Sequence, residues 1–271
     1  MGKFDGFLIC SDIDGTLIDD NFKIPKANID AINYFKSEGG LFTLATGRTP
    51  QGAYLYIDMV KPNAPVLCQN GAGVYDYMAM KYLYANYVGH ESKEVIEYVK
   101  NKFPGCGIEV VCENAIYFIK ENAFTTKHMT DEKFEVVRKD YKEIKENWIK
   151  LLIAEEKEGA DDIQKDLENT SFNEKYKLVR SYPTYYEILQ KTANKGTGMT
   201  KLVEILNADK TKTMVIGDND NDAEMLLSMP NSFAVKNASP YAKQCAAYTI
   251  QSTNNEGVIA ELVDIIEKKF I

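Results

Sequence analysis

The stretch Phe7-Leu8-Ile9-Cys10-Ser11-Asp12-Ile13-Asp14-Gly15-Thr16-Leu17 decides how this chain of 271 residues is read. An apolar run of strand length ends in two carboxylates one residue apart, and then in a glycine. Buried strands of α/β sheets read as short continuous apolar runs, and open sheets of that kind take their ligands at the carboxyl ends of the strands. Asp12 and Asp14 are placed at such an end. Two acids on one face of a strand repel each other, a cost that a hard divalent cation or a shared proton offsets. A surface turn in which Asp and Gly merely reverse the chain is the alternative that the motif alone leaves open.

Downstream, Pro25 followed by Ile29, Ile32 and Phe35 at helical spacing, with Gly39-Gly40 as a stop, predicts a helix over about 26–38. Leu41 to Ala45 is the next apolar run. It ends in Thr46-Gly47-Arg48-Thr49-Pro50, where Thr49 can cap and Pro50 can start a helix carrying Ala53, Ile57 and Val60. Pro65 to Cys68 reads as a third strand, ending in Gln69-Asn70-Gly71. Strands alternating with helices, each strand followed by polar residues, predict a doubly wound parallel sheet.

From Val74 the rhythm changes to paired short strands: Val74–Tyr77 with Tyr82–Ala85, and, after a helix over about 92–103, Ile108–Cys112 with Ala115–Ile119. Residues 120–147 are charged and weakly periodic and carry no assignment. Trp148–Ala154, Lys177–Arg180 and Tyr185–Leu189 read as strands and Ala160–Asn169 as a helix. These residues predict an inserted α+β domain over 86–188, between core segments 1–85 and 189–271. In the second core segment Lys195-Gly196 opens a helix, and Thr213–Ile216 is a strand that runs into Gly217-Asp218-Asn219-Asp220-Asn221-Asp222. A helix through Met225–Leu227, a strand near Phe233–Val235 and a helix from Val258 to about Lys268 complete the pattern.

The excess of 40 acids over 32 bases, a net charge of −8, disfavours nucleic acid or an anionic membrane as partner and points to a small ligand. Five scattered cysteines without a C-x-x-C pair suggest neither disulfides nor a zinc site. The N-terminus enters strand-like sequence without a signal-peptide pattern and no run reaches transmembrane length, so a cytoplasmic location with no obligate protein partner is expected. Asn237-Ala238-Ser239 fits the glycosylation pattern and is read as a chance match.

Four loop ends now carry distinctive polar residues: Asp12 with Asp14, Thr46-Gly47-Arg48, Lys195, and Asp218 with Asn221 and Asp222. An acidic set around a divalent ion, beside a hydroxyl, backbone amides and an ammonium, is complementary to a phosphoryl group. Asp12, ionised at neutral pH, can attack phosphorus and form an aspartyl-phosphate. Asp14 can protonate the leaving oxygen and then take a proton from water, worth roughly 10²–10⁴-fold in rate. Lys195 neutralises charge on Asp12 and the phosphoryl group, and Thr46 donates a hydrogen bond to it. Asp218-x-Asp220-x-Asp222 begins like an EF-hand loop, but Ala223 and Met229 stand where that loop needs Gly and Glu. His90 and His128 are expected on the surface.

In order and spacing, Asp12-Ile13-Asp14-Gly15-Thr16, Thr46-Gly47-Arg48, Lys195-Gly196 and Gly217-Asp218-x-x-Asn221-Asp222 resemble the four motifs of the haloacid dehalogenase superfamily. No core motif departs from the pattern, and the insert of roughly 100 residues between the second and third motifs resembles the Cof-type, type IIB cap subfamily. The resemblance implies a three-layer Rossmann-like core with an α+β cap that sets substrate choice, and a magnesium-dependent phosphatase of small phosphorylated metabolites such as sugar phosphates or phosphorylated cofactors. It further implies Asp12 as nucleophile and Asp14 as acid/base, and Asp12, Asp14 (by its backbone carbonyl), Asp218 and Asn219 around Mg2+. Ile13 (by its amide), Thr46, Gly47, Lys195 and Asn221 would contact phosphate. Arg48, Asn70 and Asp222 stand as supporting residues: Arg48 through a salt bridge bracing its loop or a contact with substrate, Asp222 by bracing Lys195 or the metal's surroundings. The alternatives are a phosphomutase of the phosphomannomutase type and a signalling domain that holds phosphate on aspartate.

Overall fold

The computed structural model describes residues 2–271. The chain forms β1 (Leu8–Ser11), α1 (Lys26–Ser37), β2 (Leu41–Leu44), α2 (Pro50–Val60), β3 (Val66–Cys68), β4 (Gly73–Asp76) and β5 (Lys81–Ala85). There follow α3 (Lys93–Lys102), β6 (Gly107–Cys112), β7 (Ile116–Lys120), α4 (Ala123–Glu132), β8 (Val136–Arg138), β9 (Trp148–Ala154), α5 (Lys157–Glu168), α6 (Phe172–Lys175), β10 (Tyr176–Tyr182) and β11 (Tyr185–Gln190). The last stretch holds α7 (Lys195–Leu206), β12 (Thr213–Gly217), α8 (Ala223–Ser228), β13 (Asn231–Ala234), α9 (Pro240–Cys245), β14 (Tyr248–Thr249) and α10 (Val258–Lys269). No helix among the described residues is long and apolar enough to cross a membrane. The chain divides into two compact units, one of Met1–Gly47, Ala53–Leu83 and Asn194–Ile271, the other of Arg48–Gly52 and Tyr84–Ala193.

The first unit is built on a parallel sheet in the order β14-β13-β12-β1-β2. Every residue of β1 is buried, as its apolar run requires, and α1 packs with α10 and α7 with α8, giving the expected α/β architecture. The buried Asn28 of α1 ties these parts together: its carboxamide accepts from the Ile259 amide at 2.9 Å and donates to the Leu17 carbonyl at 3.3 Å. From β1 the chain moves to β2 on one side, while β12, β13 and β14 step away on the other, which opens the ligand crevice of such sheets at the carboxyl ends of β1 and β12.

One strand behaves differently from expectation. β3 does not extend the parallel sheet but heads a separate one, in the order β3-β4-β5, pairing antiparallel with β4. A single bridge, Ala45 to Leu67, connects it to the end of β2. The hairpin with β4 supplies its ladder instead, Val66, Leu67 and Cys68 pairing with Tyr75, Val74 and Gly73. Two elements without an expectation are α9 and β14. Ser239 caps α9, accepting from the Ala242 amide at 3.0 Å with Pro240 at the first helical position.

The second unit is a six-stranded sheet in the order β10-β11-β9-β6-β7-β8, antiparallel apart from the β7–β8 pair. Side chains alternate across it. Val110, Leu151 and Ile188 belong to the core that Val95, Val99, Ile163 and Leu167 of α3 and α5 complete. Glu109, Lys150 and Glu187 fall on the opposite face by register, where Val111, Ile116 and Phe118 pack with Phe134 and Met129. All three charged side chains are buried, and Lys150 Nζ donates to Glu187 at 2.8 Å.

His128 is a correction to its expected surface position. It lies on α4, inside the segment that the sequence left unassigned, and is buried with Nδ1 2.9 Å from the Glu109 carboxylate and Nε2 3.5 Å from Glu132. Burial alone would lower its pKa, but the two carboxylates outweigh it and hold it up at about 10. The inward positions of α4 include Thr125 and His128, so the helix has little apolar periodicity to read.

Candidate active site

Asp12 directly follows β1, and its amide donates to the Ile216 carbonyl of β12 at 2.9 Å, which fixes it at the crevice between the two strands. It is buried, whereas Asp14, two residues on, is exposed. The chain then turns at Gly15 with φ +84°, where a Cβ would stand 2.4 Å from an Asp218 oxygen, so only glycine fits beside that acid. Thr16 completes the contact, its hydroxyl donating to Asp218 Oδ1 at 2.7 Å.

Lys195 opens α7 beneath a cap in which the Asn194 side chain accepts from the Thr197 amide at 2.8 Å. Its ammonium is buried between two carboxylates, donating to Asp12 Oδ1 at 2.6 Å and to Asp222 Oδ1 at 2.5 Å. The other Asp222 oxygen accepts from the amides of Asp218 and Asn219 at 3.0 and 3.1 Å. Asp222 therefore braces both the lysine and the loop that carries Asp218. Asn219 is exposed, and its carboxamide oxygen caps the Asp220 amide at 2.8 Å.

Beside this group lies a second one. Thr46 is buried, its amide donating to the Leu67 carbonyl at 2.8 Å and its carbonyl accepting from the Asn70 amide at 3.0 Å. Asn70, held with φ at 52°, accepts from the Asn221 carboxamide at 3.1 Å, and a Cβ on Gly47 would stand 3.0 Å from the Asn70 carboxamide. The parallel strand ends thus bring together Asp12, Thr46, Gly47, Asn70, Lys195, Asp218, Asn221 and Asp222, which are distant in sequence. Ile13 is buried between the two acids of its motif. Arg48 belongs to the second unit, where its Nη1 lies 3.6 Å from Glu132.

The electrostatics favour a cation. Oxygens of Asp12, Asp218 and Asp222 all lie within 4.8 Å of one another. Burial, then the charge of Asp222, holds the Asp12 carboxyl well above the usual range despite Lys195. Burial and Asp222 likewise push Asp218 up to about 6, against the Thr16 hydroxyl and Lys195. Burial would lower the Lys195 pKa, but Asp12 and Asp222 reverse this and raise it. Three crowded carboxylates against one ammonium fit a divalent ion with oxygen ligands, which would let Asp12 and Asp218 stay ionised. Since Lys195 and two amides already engage Asp222, Asp12 and Asp218 are the acids suited to hold it.

Sequence reasoning did not single out Thr16 or Asn194. The first stands inside the Asp-x-Asp-Gly-Thr motif, and the second occupies the N-cap position before Lys195, so a residue-by-residue reading of motif edges could have found both.

A sequence model of haloacid dehalogenase-like hydrolases matches residues 9–262. A protein of Streptococcus pyogenes serotype M6 whose name carries the word phosphatase is 28% identical over 257 residues, covering 93% of this chain and 95% of its own. The 5-amino-6-(5-phospho-D-ribitylamino)uracil phosphatase YcsE of Bacillus subtilis is 25% identical over 261 residues, covering 94% of each. Among solved structures, a haloacid dehalogenase-like hydrolase from Bacteroides thetaiotaomicron shares the fold with a TM-score of 0.83 at 22% identity, over 96% of this chain and 99% of its own. With its four loop motifs gathered at the carboxyl ends of a parallel sheet and the family match running almost end to end, the chain belongs to the haloacid dehalogenase-like hydrolases.

Proposed function

We propose that this hydrolase cleaves small phosphomonoesters in two steps through a phosphorylated Asp12. The observation that carries the reading is the placement of one buried carboxylate, Asp12, against an ammonium at 2.6 Å at the end of the central strand. In the first step an Asp12 oxygen attacks phosphorus, the bond to the ester oxygen breaks, and Asp14 delivers a proton to the departing alkoxide. In the second, water attacks the acyl phosphate and gives its proton to Asp14, and the phosphorus–oxygen bond to Asp12 breaks to release inorganic phosphate. The exposure of Asp14 suits this double task, because it can exchange protons with solvent between steps.

Lys195 favours the ionised form of Asp12 and offsets charge on the phosphoryl oxygens, which the Thr46 hydroxyl, the Ile13 and Gly47 amides and the Asn221 carboxamide contact. Magnesium held by Asp12, Asp218 and the Asp14 carbonyl, with Asn219 in support, would supply the positive charge that the acids and the phosphoryl group lack. For the substrate we assign a small phosphorylated metabolite of the sugar-phosphate or cofactor type, a class to which the phosphorylated ribitylamino-uracil in the name of the Bacillus subtilis relative belongs.

A panel of such monoesters, assayed for phosphate release with and without EDTA, tests the reading. Release from members of the panel, lost with EDTA and restored by added magnesium, is expected. Turnover indifferent to EDTA would refute the role of the acidic set, and no release from any member would refute the phosphatase reading.

A further inference from the structure

Glu132 is the last residue of α4, and its carboxylate is a meeting point within the second unit. Arg48 Nη1 lies 3.6 Å from Oε1, the Thr49 hydroxyl donates to Oε2 at 3.3 Å, and His128 Nε2 stands 3.5 Å from Oε2. The Gly52 backbone approaches so closely that a Cβ there would stand 1.9 Å from Oε2. The Thr49 oxygen in turn accepts from the Gly52 amide at 3.0 Å. The carboxylate thus sits against the first turn of α2, where the helix amides favour negative charge.

The charge on Glu132 is well secured. Burial alone would raise its pKa, but the hydrogen bond and charge of His128, with help from Arg48 and Lys150, bring it below the usual value. His128 is kept cationic by Glu109, and the rings of Phe134 and Tyr185, each 4.9 Å from the imidazole, flank it. With the Lys150–Glu187 pair on the same sheet face, three acids meet three cations: Glu109, Glu132 and Glu187 against His128, Lys150 and Arg48.

Stability alone does not call for so many buried and half-buried charges, since apolar residues of similar volume serve a sheet face as well or better. What the network does hold is Arg48–Gly52, and Arg48 is bonded to Gly47. We propose that Glu132 is a positioning residue: by fixing Arg48 and Thr49 it sets the backbone of Thr46 and Gly47, and with it the affinity for a phosphoryl group. This rests on the phosphatase reading, which assigns those two residues to phosphate.

The test is Glu132→Gln, which keeps the shape and removes the charge, assayed with p-nitrophenyl phosphate as substrate and inorganic phosphate as inhibitor. Misplaced phosphate contacts weaken ground state and transition state alike, so KM and the inhibition constant should each rise about tenfold while kcat changes by less than about threefold. Glu132→Asp, which keeps the charge, should recover part of the loss. A folded Glu132→Gln protein with parental KM and inhibition constant would overturn the proposal. Should that variant fail to fold, Thr49→Val carries the test, with a raised KM expected and a parental KM overturning it. Turnover by the unaltered chain and its loss in Asp12→Asn, measured in the same assay, report separately on the phosphatase reading.

Discussion

Asp12→Asn is expected to lower phosphate release by about 10⁴-fold or more in a chain that still folds. The carboxamide keeps the size of the side chain and an oxygen for the Lys195 ammonium, which now lies 2.6 Å away, but it loses the charge that attacks phosphorus. The substitution also relieves a crowded site. Burial and neighbouring acids hold the Asp12 carboxyl well above its usual pKa, so the fold carries a cost for ionising it that the amide does not have. The melting temperature should therefore equal or exceed that of the parent. Phosphate release and thermal melting measured together check both halves, and a well-folded variant with near-parental turnover would remove Asp12 from its role.

Lys195→Met should be costly in two ways. The ammonium is buried and engages Asp12 and Asp222 at 2.6 and 2.5 Å, so a methionine of similar length leaves two buried carboxylates without their cation. Breaking such a set from one side costs about 3–5 kcal/mol of stability, and losing the charge beside the reacting group lowers turnover by about 10²–10³-fold. The pH dependence has a definite sign. Burial and neighbouring acids already raise the Asp12 carboxyl, and without the Lys195 charge it rises further, so folding takes up protons and the stability this contributes is present at low pH and lost as pH rises. Urea unfolding should thus show the gap to the parent narrowing from pH 7 towards pH 5. A variant as stable as the parent at pH 7 would mean that the ammonium is not what offsets these acids.

The parts of the fold legible in the sequence are those where burial and chain direction coincide. β1 reads as a strand because both its faces are buried, and the loops after β1, β2 and β12 read as functional because their polar residues interrupt that pattern at the strand ends. Periodicity carries no such information for sheet membership: Val66–Cys68 is apolar in either sheet, and only its pairing with β4 shows which one it joins. Composition hides His128 for a related reason. A histidine one turn from Glu132 on a charged helix looks, residue by residue, like a solvated one, and the contact that buries it joins α4 to Glu109 of β6 across 19 positions. Ser239 is the opposite case, since the Ser239-Pro240 pair marks the start of α9 in the sequence itself.

The central claim is that phosphate passes through Asp12, and the stereochemistry at phosphorus tests it most directly. Each in-line displacement inverts configuration, so transfer to Asp12 followed by attack of water gives two inversions. The measurement is turnover of a monoester made chiral at phosphorus with oxygen isotopes and a sulfur, in isotopically labelled water, with the configuration of the released thiophosphate determined. Net retention is the predicted result; net inversion, the mark of a single direct attack by water, would contradict the account.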